Sequence, residues 1–95
     1  MKHKLAWHSS FRRAFKKAVK SNPDLEEKIF SALERMVFDP FDPILKTHKL
    51  HGKLSGLWAC YVEYDCRVIF TFELSLDKKN YLIVLVDIGK HDEVY

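Results

Sequence analysis

The chain is 95 residues long, 47% apolar, and its 16 Lys and Arg against 13 Asp and Glu leave a net charge of +3. That length sets one domain, residues 1–95, around one core, and the mixed charge with seven Phe, four Tyr and two Trp excludes a disordered chain. No apolar run approaches the ~20 residues that span a bilayer, and Met1–Lys4 lacks an apolar leader core. The expectation is therefore a cytoplasmic protein with no membrane partner, keeping Cys60 and Cys66 reduced.

The small net charge conceals a polarity. Residues 1–53 carry twelve Lys or Arg against six Asp or Glu, and residues 54–95 carry four against seven. A basic half suits an anionic partner, although a basic helix face also serves solubility alone.

In chain order, Lys4–His8 predicts a short first strand. Ser9 or Ser10 offers a hydroxyl cap to a helix whose apolar face is Phe11, Ala14, Phe15 and Ala18. The opposite face of that helix holds Arg12, Arg13, Lys16, Lys17 and Lys20 with no acid among them. Asn22 then caps a second helix with Pro23 in its first turn and acids at 24, 26 and 27 near the positive end of its dipole. Leu25, Ile29, Leu33 and Met36 form its apolar stripe, and Pro40 ends it near Phe38. The short link between the two predicts an antiparallel helical hairpin.

Asp39–Ile44, with two prolines, reads as an ordered crossover loop, and Lys46–Lys53 as either a strand or a loop. Leu57–Tyr64 and Arg67–Glu73 are aromatic and β-branched strands joined by a tight turn at Tyr64–Cys66. Ser75–Asn80 is a polar turn, and Tyr81–Ile88 a further, central strand. The order β-α-α-β-β-β predicts an α+β domain: an antiparallel sheet of about four strands with the N-terminal helical hairpin packed on one face.

Only three glycines are present and none forms a phosphate-binding loop or a Gly-x-Ser-x-Gly element. The titratable residues gather in the sheet half: His48, Lys49, His51, Lys53, Tyr61, Asp65, Arg67, Lys90 and His91. A zinc site would draw on His48, His51, Cys60, Cys66 and His91, but these lack the close ligand pairs on both sides that zinc sites show, so no metal is expected. The same set fits cleavage of RNA without a metal. Attack by a 2′-hydroxyl needs a base, an acid for the departing 5′-oxygen, and cations for the phosphorus oxygens. Histidine suits both proton roles, Asp65 can act as base or orient a histidine, and Arg67 and nearby lysines can grip the phosphate.

His48–Gly56 (HKLHGKLSG) with Trp58, then Asp65–Phe70 (DCRVIF), and finally Ile88–Tyr95 (IGKHDEVY) together resemble the RelE/ParE toxin superfamily, and within it the YafQ branch. The likeness spans nearly the whole chain, but its specific motifs lie in residues 48–95, with Gly89-Lys-His91 and Val94-Tyr95 the most discriminating. The resemblance implies the toxin of a type II toxin–antitoxin pair, an endoribonuclease acting on mRNA in the ribosome and in contact with ribosomal RNA. A cognate antitoxin would be its protein partner, and neither a metal nor a small-molecule cofactor is implied. It makes His48, Asp65 and His91 the acid–base residues and Tyr95 an aromatic that stacks on a base, without dividing the acid and base roles. His91, in its polar tail, is expected to be the general acid. Lys49, Lys53, Tyr61, Arg67 and Lys90 are the accompanying RNA contacts. Three positions depart from the branch: Tyr61 stands where a histidine is usual, Cys66 replaces an aromatic, and Ala59 and Cys60 occupy strand positions where other members carry arginines. The alternatives are a ParE-like toxin that binds DNA gyrase and cuts nothing, and an RNA-binding member without activity.

Overall fold

The computed structural model describes residues 3–20, 22–78 and 80–90. Lys4–Trp7 forms β1, Ser9–Val19 α1, Pro23–Phe38 α2, His48–Lys49 β2, Trp58–Glu63 β3, Cys66–Leu74 β4 and Tyr81–Gly89 β5. Single 3-10 turns lie at Pro43–Leu45 and Gly52–Leu54. The sheet runs β1-β5-β4-β3-β2, antiparallel throughout except for β1, which lies parallel to β5. The expected α+β architecture holds. The fifth strand is the two-residue β2, within the segment whose sequence left strand and loop both open.

Helix α2 starts as its sequence dictates, with the Asn22 side chain accepting from the Leu25 N–H at 3.2 Å and Pro23 in the first turn. Helix α1 starts one residue earlier than its serines suggest. His8 is the cap, its Nδ1 accepting from the Ser10 N–H at 3.1 Å, and the Ser10 hydroxyl instead donates to the Val86 carbonyl of β5. Val86 is the extra residue of a bulge, since Ile69 pairs with Asp87 while Phe70 pairs with Leu85. The bulge leaves that carbonyl outside the β4–β5 ladder, and Ser10 uses it to pin α1 to the sheet.

Both helices cover the same face of the sheet. Phe11 of α1 and Ile29, Leu33 and Met36 of α2 pack with Cys60, Val68, Phe70, Ile83 and Leu85 in one core. Trp7 stands edge-on to Phe11 and Phe15, with ring centroids 4.9 and 5.2 Å apart, which seals the β1 end. Among the described residues no helix lies over the other face. A smaller cluster of Leu50, Ala59 and Ile69, with Leu54 and Leu57 beside it, lies there next to the second 3-10 turn.

Candidate active face of the sheet

Strand alternation assigns each candidate residue to a face. His48 is opposite Ala59, Ala59 opposite Ile69, and Ile69 opposite Asp87, so these four form one row across the uncovered face. Two residues along, Tyr61 is opposite Arg67 and Arg67 opposite Gly89, forming a second row. The open face therefore brings His48, Tyr61 and Arg67 together on neighbouring strands spaced about 4.8 Å apart. The apolar Ala59 and Ile69 form its floor.

The loop between β2 and β3 needs its glycines. Gly52 and Gly56 have φ of 68° and 93°, where a side chain would be strained. They fold residues 50–57 back so that Leu50 N–H bonds to the Leu57 carbonyl at 3.0 Å, which holds β2 against β3. His48 is half-buried on this strand, with Nε2 shielded from solvent. Its Nδ1 lies 3.0 Å from the carbonyl oxygen of Lys46. A carbonyl only accepts, so Nδ1 carries the proton and Nε2 is the basic nitrogen of the neutral ring.

Arg67 is 3% exposed, an unusual position for a charge. Its Nη1 donates to the carbonyls of Glu63, Tyr64 (2.9 Å) and Cys66 (3.2 Å), the residues around the β3–β4 turn. The guanidinium also lies 4.8 Å from the Tyr61 ring centroid. Arg67 thus ties down the two-residue turn that carries Asp65, which is exposed at its tip. Tyr61 meets a second cation: the Lys46 ammonium lies 4.8 Å from the same ring centroid.

The other candidates separate. Lys49, next to His48, points the other way and lies 5.5 Å over Trp58 on the helix-covered side. Lys53 is exposed on the second 3-10 turn, as is His51 just before it, and Lys90 is exposed beyond the end of β5. His91 and Tyr95 lie outside the described residues. Cys60 and Cys66 are free and buried in the core under the helices. The sheet thus divides them from His48. Among the described residues no three of His, Cys, Asp and Glu converge as metal ligands. Burial lifts the Cys60 thiol to about 12 and the Cys66 thiol to about 11, so both stay protonated at neutral pH.

Lys46 did not emerge from the sequence. Nothing in its surroundings there marks a lysine with φ 50° and ψ 38°, the left-handed geometry in which it ends the Pro43–Leu45 turn.

No curated protein matches the chain in sequence. Solved structures share its fold. The E. coli DinJ–YafQ toxin–antitoxin complex contains a chain that superposes with a TM-score of 0.74 at 18% identity, covering 100% of this chain and 99% of that one. A YoeB/ParE toxin from Agrobacterium tumefaciens gives 0.73 at 19% identity, covering 93% and 98%. The YoeB dimer from Staphylococcus aureus gives 0.71 at 16% identity, covering 94% and 97%. The family model described as the bacterial toxin of type II toxin–antitoxin system, YafQ, matches residues 3–95. With that match over nearly its whole length, the chain belongs to the YafQ family of type II toxin–antitoxin toxins.

Proposed function

We propose that the open face of the sheet is the active face of an mRNA endoribonuclease that works on the ribosome, in the cytoplasm, without a metal. The observation that carries this reading is the two-row arrangement: His48, Tyr61 and Arg67 share one uncovered face, and β5 ends at Gly89 in register with Arg67. In the sequence, His91 follows two residues after that strand end.

The chemistry follows from these groups. The 2′-oxygen attacks phosphorus and forms a new P–O bond while the P–O5′ bond breaks. The 2′-hydroxyl proton passes to a base: Asp65 is exposed at the turn tip, and His48 can serve only once substrate binding uncovers its shielded Nε2. His91 gives a proton to the departing 5′-oxygen. The products are a 2′,3′-cyclic phosphate and a 5′-hydroxyl end. Arg67 holds the Asp65 turn in place, Tyr61 offers a phenol to the substrate, and Tyr95 stacks on a base. Lys53 and Lys90 add positive charge along the RNA path, while Lys49 stays on the opposite face against Trp58.

The cationic row of α1 (Arg12, Arg13, Lys16, Lys17 and Lys20, all exposed) lies on the other side of the molecule. It suits ribosomal RNA held apart from the cleaved strand. A cognate antitoxin is the protein partner in this reading, as DinJ is for E. coli YafQ.

The test is expression of the wild type and His91→Ala in a translation extract, with mRNA ends mapped by primer extension. New ends with the wild type and none with His91→Ala are expected. Intact mRNA with the wild type would remove the nuclease reading, and stalled replication beside it would point to gyrase.

A further inference from the structure

We infer that Lys46, in the loop before β2, is the residue that meets the scissile phosphate and at the same time fixes the tautomer of His48. The inference rests on the reading of the open face as an RNA-cleaving site.

Two contacts made by one residue support it. The main-chain carbonyl of Lys46 lies 3.0 Å from His48 Nδ1, which keeps the proton on Nδ1 and leaves Nε2 as the basic nitrogen. Its ammonium lies 4.8 Å from the centroid of the Tyr61 ring, in the row next to His48. Both contacts depend on the left-handed backbone at Lys46, φ 50° and ψ 38°, held by its N–H to the Pro43 carbonyl at 3.2 Å. A residue other than glycine keeps such a conformation only where its surroundings enforce it.

The division of labour among the cations singles out Lys46. Arg67 is buried, and its Nη1 donates to three carbonyls of the turn, so it serves the scaffold. Lys49 stands against Trp58 on the opposite face. Lys46 is exposed, on a four-carbon stem, and rests on an aromatic ring. A cation–π contact at an exposed site is weak, and a phosphate oxygen is a stronger partner for an ammonium. When RNA enters, the ammonium exchanges the ring for a non-bridging phosphate oxygen and offsets the charge that gathers there as the 2′-oxygen attacks. No proton leaves Lys46 in this step.

The experiment compares Lys46→Asn and Lys46→Arg with the wild type. Asparagine tolerates left-handed backbone and keeps the carbonyl for His48, so it removes only the charge. Arginine keeps the charge. Lys46→Asn is expected to slow mRNA cleavage on ribosomes by on the order of 100-fold, and Lys46→Arg to stay within about threefold of wild type. Binding of an oligoribonucleotide with a 2′-deoxy group at the scissile position supplies a readout that a structural role would not move. The slope of log affinity against log salt should fall by about 0.7 in Lys46→Asn, the signature of one lost phosphate contact on a single strand, and be kept in Lys46→Arg. Should Lys46→Asn unfold, Lys46→Gly, which carries no left-handed penalty, replaces it. Wild-type cleavage matched by Lys46→Asn, or an unchanged salt slope, overturns the role of Lys46 and leaves the nuclease reading standing. A wild type that neither cleaves mRNA nor binds the oligonucleotide overturns both.

Discussion

On the helix-covered face, Cys60, Val68, Phe70, Ile83 and Leu85 are all 0% exposed and pack against two helices. On the open face, neighbouring residues of the same strands include Tyr61, Thr71 and Asp87, all in contact with solvent, around the small cluster of Leu50, Ala59 and Ile69. Alternation along a strand makes this division possible. One set of strands can be a rigid core on one side and a chemical surface on the other, and a substitution should reveal which side it is on by what it changes. Arg67 is the exception that joins the two. It belongs to the open row by register, yet it is buried and bonded like a core residue.

The largest effect is expected on the covered face. Phe70→Ala should lower unfolding free energy by about 3–5 kcal/mol, read from urea denaturation. A change below 1 kcal/mol would mean that Phe70 is not the packing centre its burial implies. Next comes His91→Gln, expected to lower kcat/KM for mRNA cleavage by about 100-fold, or about 2.7 kcal/mol of transition-state stabilisation. Its urea midpoint should stay at the wild-type value. A matching loss of stability would place His91 on the structural side of the division.

A smaller effect should come from Tyr61→Phe, which keeps the ring beneath Lys46 and Arg67 and removes only the hydroxyl. Up to about a tenfold fall in cleavage, the worth of one hydrogen bond, would assign the phenol to the substrate. Unchanged activity would restrict Tyr61 to carrying the two cations.

The smallest effect near neutral pH concerns the buried thiols. Their folded values, about 12 and 11, lie above the ordinary 9.0, so the folded state keeps protons that the unfolded chain gives up first. This stabilisation is complete below pH 9 and is lost as pH rises towards 11 and 12, by at most about 1.4 kcal/mol per unit for each thiol. Alkylation at pH 8 should label neither cysteine in the folded chain and both in urea. Rapid labelling of native Cys66 would contradict its place in the core.

Much of this molecule is legible in its residues. The apolar stripe of α2, its Asn22 cap and its stop before Pro40 follow from local rules, as do the strands of the second half with their aromatic and β-branched runs. These features depend on neighbours a few positions away, which sequence order preserves. The turn holding Asp65 and the strand carrying Tyr61 were visible for the same reason.

Other features required the chain to be folded. The parallel pairing of β1 with β5 joins residues nearly eighty positions apart, and the Ser10–Val86 bond that resets the start of α1 depends on a bulge in a distant strand. Lys49 looks equivalent to its neighbours in sequence, yet the register turns it away from His48. Arg67 reads as a phosphate ligand until burial and three carbonyls give it a structural task. Lys46 carries no sequence signal because its contacts arise from a left-handed backbone and from a ring on another strand. Composition and periodicity determined which elements form and which residue types were available for chemistry. Register and long-range packing alone decided which of those residues share a face, because that depends on contacts between strands rather than on order along one.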